Sequence, residues 1–354
     1  MLYPKGRGAQ LNTPNRFTES FLVSDAEFDE HQRVNGVAHL HLPTQIIKTY
    51  PKSIVNKVES DDLGFDYSLN PYQGCEHGCV YCYARNTHEY WGYSAGTDFE
   101  SKILVKANAV SLLERKLDAK SWKPTPVMLS GNTDCYQPVE RRLEVTRKLL
   151  NVFLQARNPV GIITKNAMIL RDLDILQELA QRNLVRVVIS LTSLSEKTRQ
   201  LLEPRTSAVG VRLNAIRKLS EHGIPVGVMM APIIPSINSQ EVNAIASKAA
   251  DNGAYSFHYT MVRLNGALPQ IFEDWLTRHY PDRKEKVLNQ IKSLHAGSLS
   301  DSRVGIRLTG DGDLAVQIGK LVSAARKKYG LNRPFPDWNL EDFEKPSLKQ
   351  LGLF

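Results

Sequence analysis

Cysteine is scarce in this 354-residue chain, with four in all, and three of them fall within eight positions. So few cysteines cannot staple a loop-rich secreted domain, and clustered thiols in a reducing compartment point to metal binding or catalysis. Long apolar runs are missing too. The longest, VGVMMAPIIP at 226–235, is far too short to span a bilayer and carries two prolines, so no membrane role is expected. The opening MLYPKGRGAQLNTPNRF lacks the apolar core of a signal peptide, and a cytoplasmic location is expected. Internal repeats and low-complexity segments are also missing. What remains is an ordinary balance for a packed soluble protein, 42% hydrophobic and 23% charged. The net charge of +8 permits a polyanionic partner without requiring one.

From about residue 65, β-branched runs alternate with amphipathic stretches. PVMLS (126–130), VGIITK (160–165), VRVVISL (185–191), PVGVMMAP (225–232) and YSFHYTMVRL (255–264) read as strands. A further strand leads into the cysteine loop, and HLHLPTQIIKTY at 39–50 can hold another. VERRLEVTRKLLNVFLQ (139–155) has the three- and four-residue apolar spacing of a helix. About six β–α units at roughly 30-residue spacing predict a parallel sheet with crossover helices, either doubly wound or curled into a barrel or partial barrel. In both cases function gathers at the C-terminal ends of the strands. The expected organisation is an N-terminal extension (1–64), a core (65–275), a C-terminal helical region (276–345) and a tail (346–354).

The cysteines stand in NPYQGCEHGCVYCYAR (70–85) as C-x-x-x-C-x-x-C, formed by Cys75, Cys79 and Cys82. Three thiolates on one loop leave a structural zinc site one ligand short, unless His77, His88 or Cys135 completes it. They can instead hold three irons of a [4Fe–4S] cluster and leave the fourth open to a ligand. Gly74 and Gly78 suit a tight turn that brings backbone close to a cluster.

This spacing, with aromatic Tyr81 before the last cysteine, resembles the radical S-adenosylmethionine superfamily. The resemblance implies an α/β fold, a partial (β/α)6 barrel with an N-terminal extension and a C-terminal helical appendage. It also implies that the open iron is chelated by S-adenosyl-L-methionine, which on reduction yields a 5′-deoxyadenosyl radical. A reductant such as flavodoxin or ferredoxin is then needed. The backbone of Tyr81 is expected to face the adenine. After the second barrel strand comes SGNTDCYQP, without the usual Gly-Gly-Glu-like stretch, and Thr133 and Asp134 are the candidate acceptors for the methionine ammonium. Asp134 also reads as a helix N-cap. Lys165, ending GIITKN, is a candidate partner for the cofactor carboxylate. Ser190 and Thr192 in VVISLTS are candidates for the carboxylate or ribose, or simply satisfy nearby backbone. Arg205 in LEPRTS can reach the cofactor or pair with Glu203.

Within the superfamily, Y-C-Y at 81–83, TDCYQP, TK and EPRTS resemble the spore photoproduct lyase group across roughly residues 65 to 275. That resemblance implies radical hydrogen transfer by the tyrosines matching Tyr81 and Tyr83. The hydrogen-donor cysteine of that group falls on Gly131 here; Cys135 lies nearby in a different register, as a candidate donor or as a small buried residue. The expected substrate is a modified or damaged nucleic-acid base. The alternatives are a radical enzyme on a small molecule, peptide or RNA, and a non-catalytic iron–sulfur redox sensor. EYWGYSAGTDF (89–99) can stack on bases or fill core. The basic KGRGAQLNTPNRF can grip a phosphate backbone or form a strap. The terminal KQLGLF resembles peptides that dock on the bacterial sliding clamp, with Gln350, Leu353 and Phe354 as anchors.

Overall fold

The structure is a computed structural model that describes residues 6–17 and 42–346. The strands are β1 (Gln45–Thr49), β2 (Val55–Lys57), β3 (Tyr67–Leu69), β4 (Tyr72–Gln73), β5 (Lys102–Lys106), β6 (Val127–Leu129), β7 (Val160–Thr164), β8 (Val185–Ser190), β9 (Val226–Ile233) and β10 (Phe257–Met261). They form two sheets. The larger runs β10-β9-β8-β7-β6-β3-β2 and the smaller β1-β5-β4. In the larger sheet the six strands from β3 to β10 are parallel, and only β2 is antiparallel. The edges β2 and β10 do not pair, so the sheet stays an open barrel.

The middle strands are buried along most of their length, as parallel strands covered by helices must be. Their Val and Ile residues meet Leu149, Leu150 and Phe153 from one helix and Leu176 and Leu179 from the next, in one continuous core. Fully burying each such side chain contributes about 1.5–3 kcal/mol.

Four of the five strands expected by name lie where the sequence placed them, shorter by one to five residues, and the fifth, expected over 225–232, keeps its length and shifts by one residue to Val226–Ile233. The helix expected over 139–155 is instead two, Glu140–Leu143 and Val145–Ala156, broken at Glu144 with φ 50°. The cause is Glu140. Its buried carboxylate takes the Thr146 N–H at 3.1 Å, the Tyr72 hydroxyl, and Arg171 at 2.8 Å, and so caps the second helix from outside it. The last long helix, Gly312–Lys328, buries Ala315, Ile318, Val322 and Ala325 in the main core, so it forms part of the helical layer.

Because the strands are parallel, the segments leaving them emerge on one face: 70–82 after β3, 130–137 after β6, Lys165 after β7, Leu191 and Thr192 after β8, and Arg263 just past β10.

Candidate active site

The loop carrying Cys75, Cys79 and Cys82 is tied down by its backbone. Cys75 N–H donates to Phe99 O at 2.9 Å and Val80 N–H to Leu202 O at 3.1 Å. Glu76 N–H donates to Gln137 Oε1 at 2.9 Å, and Gln137 Nε2 returns a bond to Gly74 O at 3.1 Å. Arg85, wholly buried, donates from Nε to Cys79 O at 2.9 Å and forms an ion pair with buried Glu100. Gly78 sits at φ 69°, and a Cβ there would lie 2.7 Å from Glu100 Oε2. A Cβ there would crowd the Glu100 carboxylate, in a backbone conformation that favours glycine.

Val80 and Tyr81 wedge into a second apolar cluster with Leu202, Ile234, Leu264 and Trp275. Cys75 and Cys79 are buried and Cys82 is partly exposed, all three as free thiols. Burial pushes the Cys75 thiol well up, and nearby Asp134 and the other two thiols push it further.

Asp134 is the tie between loop and sheet. Its two oxygens accept from Tyr136 N–H, Thr164 Oγ1 and Lys165 N–H, each at 2.8 Å, and face His77 Nδ1 at 3.3 Å. Burial alone would raise its carboxyl, but His77 and the bonds from Lys165 and Thr164 hold it down to about 2. With about four lone-pair sites taken, this carboxylate positions the loop and has little left for an ammonium. It caps the turn that begins there through the Tyr136 N–H rather than a helix, the next helix starting only at Glu140, and it binds Thr164 and Lys165 as well. Thr133 is buried and donates to Tyr72 O at 2.7 Å.

Lys165 enters from the end of β7. Its Nζ lies 6.0 Å from the Tyr81 ring. Burial pulls its ammonium down, yet the neighbouring Cys79, Glu203, Asp134 and Cys82 together outweigh that and leave it raised. Charge rather than a hydrogen bond favours it there, so its three donors are ready for a bound anion.

Glu203 is the hub on the other side. It accepts from the Tyr81 hydroxyl, from Thr192 Oγ1 at 2.7 Å and from Arg212 Nη2 at 2.6 Å. Burial would raise its carboxyl, but Arg212 and Lys165 bring it down to about 2. Arg212 also donates to Ser190 O at 2.9 Å, which ties the end of β8 to the turn at 203–207. Thr192 thus has its hydroxyl committed to Glu203, and Ser190 is buried beside it. Arg205 does not pair with Glu203. Its side chain meets Glu76 at 3.2 Å while its N–H donates to His77 O at 3.2 Å, so the turn packs on the cysteine loop.

The sequence reading missed Arg212 and Glu100. Arg212 had a signal: it falls on the buried stripe Val209, Arg212, Ala215, Ile216, Leu219, where an arginine needs a buried partner. Glu100 had none, since its partners Arg85, Gly8 and Ala9 come from distant parts of the chain.

Tyr83 and Cys135 differ in placement. Tyr83 is 48% exposed at the mouth, and its hydroxyl donates to Gly131 O. Cys135 is fully buried in the main core, where burial and Asp134 push its thiol well up. Its thiol lies beside the Ser130 and Thr146 hydroxyls, which pull it partly back down.

The N-terminal segment is a strap. Arg7 donates to Glu100 O at 2.5 Å and Leu42 O at 2.6 Å, and Gly8 and Ala9 N–H groups donate to the Glu100 carboxylate at 2.9 and 2.7 Å. Arg7 is therefore not offered to a phosphate backbone. Lys5 and the clamp-like Gln350–Phe354 lie outside the described residues.

Among the described residues no three Cys, His, Asp or Glu groups converge on one ion. Cys75, Cys79 and Cys82 are free thiols on one loop, the soft donor set that an iron–sulfur cluster takes, one thiolate to each iron. An open α/β barrel with three thiols on the loop after its first parallel strand, beneath a lysine and a buried carboxylate hub, defines the class of cluster-dependent barrel enzymes. A family model for the radical SAM superfamily matches residues 69–249. The chain belongs to that superfamily, and its cofactors are accordingly a [4Fe–4S] cluster and S-adenosylmethionine.

Among curated relatives, the uncharacterized protein Rv2578c of Mycobacterium tuberculosis is 33% identical over 234 residues, covering 65% of this chain and 69% of the relative. The uncharacterized protein MJ0683 of Methanocaldococcus jannaschii is 27% identical over 247 residues, covering 70% and 88%. Among solved structures, a point mutant of spore photoproduct lyase superposes with TM-score 0.63 at 15% identity, covering 92% of this chain and 89% of that one. Spore photoproduct lyase complexed with dinucleoside spore photoproduct gives TM-score 0.59 at 15% identity, covering 90% and 86%. At that identity the likeness speaks for the fold.

Proposed function

We propose that this chain is a radical enzyme acting on a modified or damaged base in nucleic acid, within a reducing cytoplasm and with a flavodoxin- or ferredoxin-like reductant. The observation that carries the reading is the half-exposed Tyr83 at the barrel mouth, one residue past Cys82 and hydrogen-bonded to Gly131 O. Support comes from the fold shared with spore photoproduct lyase and from the net charge of +8.

In this reading Cys75, Cys79 and Cys82 hold the cluster. When bound, S-adenosylmethionine would supply the one-electron radical chemistry that takes a hydrogen atom from the substrate. The protein's part is placement and exclusion of water. Lys165 meets the methionine carboxylate as a point charge. Thr133, Ser190 and Arg205 line the approach. Asp134, Thr192 and Glu203 fix the loop, Tyr81 and the Lys165 backbone so that this geometry does not drift. Tyr83 contacts the substrate and can pass a hydrogen atom at its phenolic oxygen. A base inside a duplex must leave the stack to reach it, which favours sites already distorted.

The clamp-docking tail remains part of the proposal. The described chain ends on the far side of the barrel: Asn339 and Glu344 N–H groups bond to Asn183 O and Ala156 O, just before β8 and β7.

The test is anaerobic reconstitution followed by chromatographic assay of 5′-deoxyadenosine, with damaged and undamaged oligonucleotides, and with Cys79→Ala as control. The reading expects product that disappears in the variant and rises with a damaged strand. Cluster-loaded protein that never forms product with any nucleic acid would sink it.

A further inference from the structure

Among the described residues, three of the five exposed aromatic side chains belong to one patch, the other two being Tyr50 and Tyr83. Phe17, Tyr90 and Trp91 are 55%, 73% and 45% exposed. Tyr90 and Trp91 end the 3-10 helix Tyr83–Trp91 that follows the cysteine loop. Phe17 arrives from the N-terminal strap and stacks on Tyr90, with ring centroids 4.7 Å apart and planes 24° apart. Arg16 lies over the Phe17 ring, its Cζ 5.6 Å from the centroid.

This pairing is held in place. Asn15 Nδ2 donates to Glu89 O at 2.9 Å and Tyr93 O at 3.2 Å. Arg16 donates twice to the buried Glu89 carboxylate, at 2.9 and 2.6 Å. Apolar burial does not account for it, because both stacked rings remain more than half in water. Two segments 73 residues apart are thus bonded together to present π faces and a half-exposed guanidinium to solvent.

We infer that this patch is a stacking platform for the bases of an unpaired nucleic-acid strand. Every base has a π face, so aromatic platforms bind single strands with little regard to sequence. The occupant is argued from charge and position. The chain carries net charge +8, and an arginine caps the stacked pair. The platform also shares its helix with Tyr83. Seven residues of 3-10 helix separate Tyr83 from Tyr90, about 14 Å at roughly 2 Å per residue. At about 3.4 Å per nucleotide that is some four stacked nucleotides. A strand held on Tyr90 and Trp91 therefore presents a base to the barrel mouth a few nucleotides away, and the opened duplex around a distorted base supplies such a strand. This inference rests on the nucleic-acid reading given under the proposed function.

The test uses the full cluster-loaded chain and a fluorescently labelled oligothymidylate, read by anisotropy across a salt series. Tyr90→Ala, Trp91→Ala and Phe17→Ala are each expected to weaken binding by roughly tenfold. The salt slope should stay unchanged, since no phosphate contact is removed. Val316→Ala, at another exposed apolar side chain, should change nothing, and 5′-deoxyadenosine formation without nucleic acid should be unaltered in all four. Wild type that binds, with variants that bind equally well, overturns the platform and leaves the nucleic-acid reading standing. Wild type that binds neither single strands nor distorted duplexes overturns both. A dimer seen by light scattering that the same substitutions dissolve, without effect on oligonucleotide binding, shows that a second copy covers the patch.

Discussion

Lys165 and His88 are both enclosed ionisable groups, and the structure treats them in opposite ways. Anionic neighbours keep Lys165 charged beside the cysteine loop. Replacing it by methionine removes the charge with little change of shape. S-adenosylmethionine should then bind about tenfold more weakly or worse, the range for losing a bond to a charged group. Equilibrium dialysis against cluster-loaded protein measures this, with iron content as the check on loading. Unaltered affinity would take Lys165 out of the cofactor site.

His88 is kept neutral. It is fully buried against Tyr93 and Phe99, neither ring nitrogen has a hydrogen-bond partner among the described residues, and burial lowers it from 6.5 to about 4. The unfolded chain takes up a proton there as pH falls below 6.5, while the folded chain resists until about 4. Its contribution to stability is thus complete above 6.5 and is lost as pH falls toward 4, about 3 kcal/mol in all. Denaturant titrations of the protein from pH 7 to 4 should show that slope, and His88→Phe should flatten it. At this scale the sequence named Lys165 from its place at a strand end. It could not name Glu203 as the partner of Tyr81 and Arg212, because that contact joins three separate segments.

Among elements, the strap over residues 6–17 lies directly on the cysteine loop and Glu100. A Cβ on Gly8 would lie 1.7 Å from Gly78 O, and one on Gly96 would lie 1.9 Å from Leu11 O. The strap therefore touches backbone to backbone at the cysteine loop. Gly8→Val must push it away and free the Gly8 and Ala9 N–H groups from Glu100. We expect a loss of about 1–3 kcal/mol from overpacking and faster release of iron to a chelator. A variant that melts and retains iron like wild type would show that the strap is dispensable. The strands were legible because β-branched runs bounded by turn residues carry their own signal. The strap was legible only as one of two readings of a basic, Gly-rich segment, and what decides between them is Gly78 and Glu100 set against its glycines.

Across the whole molecule, the open edge of the barrel is closed by polar contacts. Asp62, between β2 and β3, accepts from Arg307 Nε at 2.7 Å, and Met261 N–H, at the end of β10, donates to Leu308 O at 2.7 Å. Residues near 300–310 thereby join the two unpaired sides of the sheet. Arg307 holds the Asp62 carboxyl well below the usual range. Asp62→Asn should loosen this seam, raising amide hydrogen exchange in residues 58–66 and 299–311 without changing exchange in the central strands. Equal exchange in both proteins would show that packing alone closes the edge.

By itself the sequence determined the cysteine triad, the alternation that makes a parallel sheet, and so the face on which chemistry must sit. These follow from local spacing and from the geometry of β–α units, which need no knowledge of distant partners. Only the tertiary structure decided which polar groups are committed. It gave Asp134 to Thr164 and Lys165, Arg205 to Glu76, Cys135 to the core, and Phe17 to Tyr90. The reason is physical: a buried charge or an exposed ring takes its role from what the fold places within a few ångströms of it.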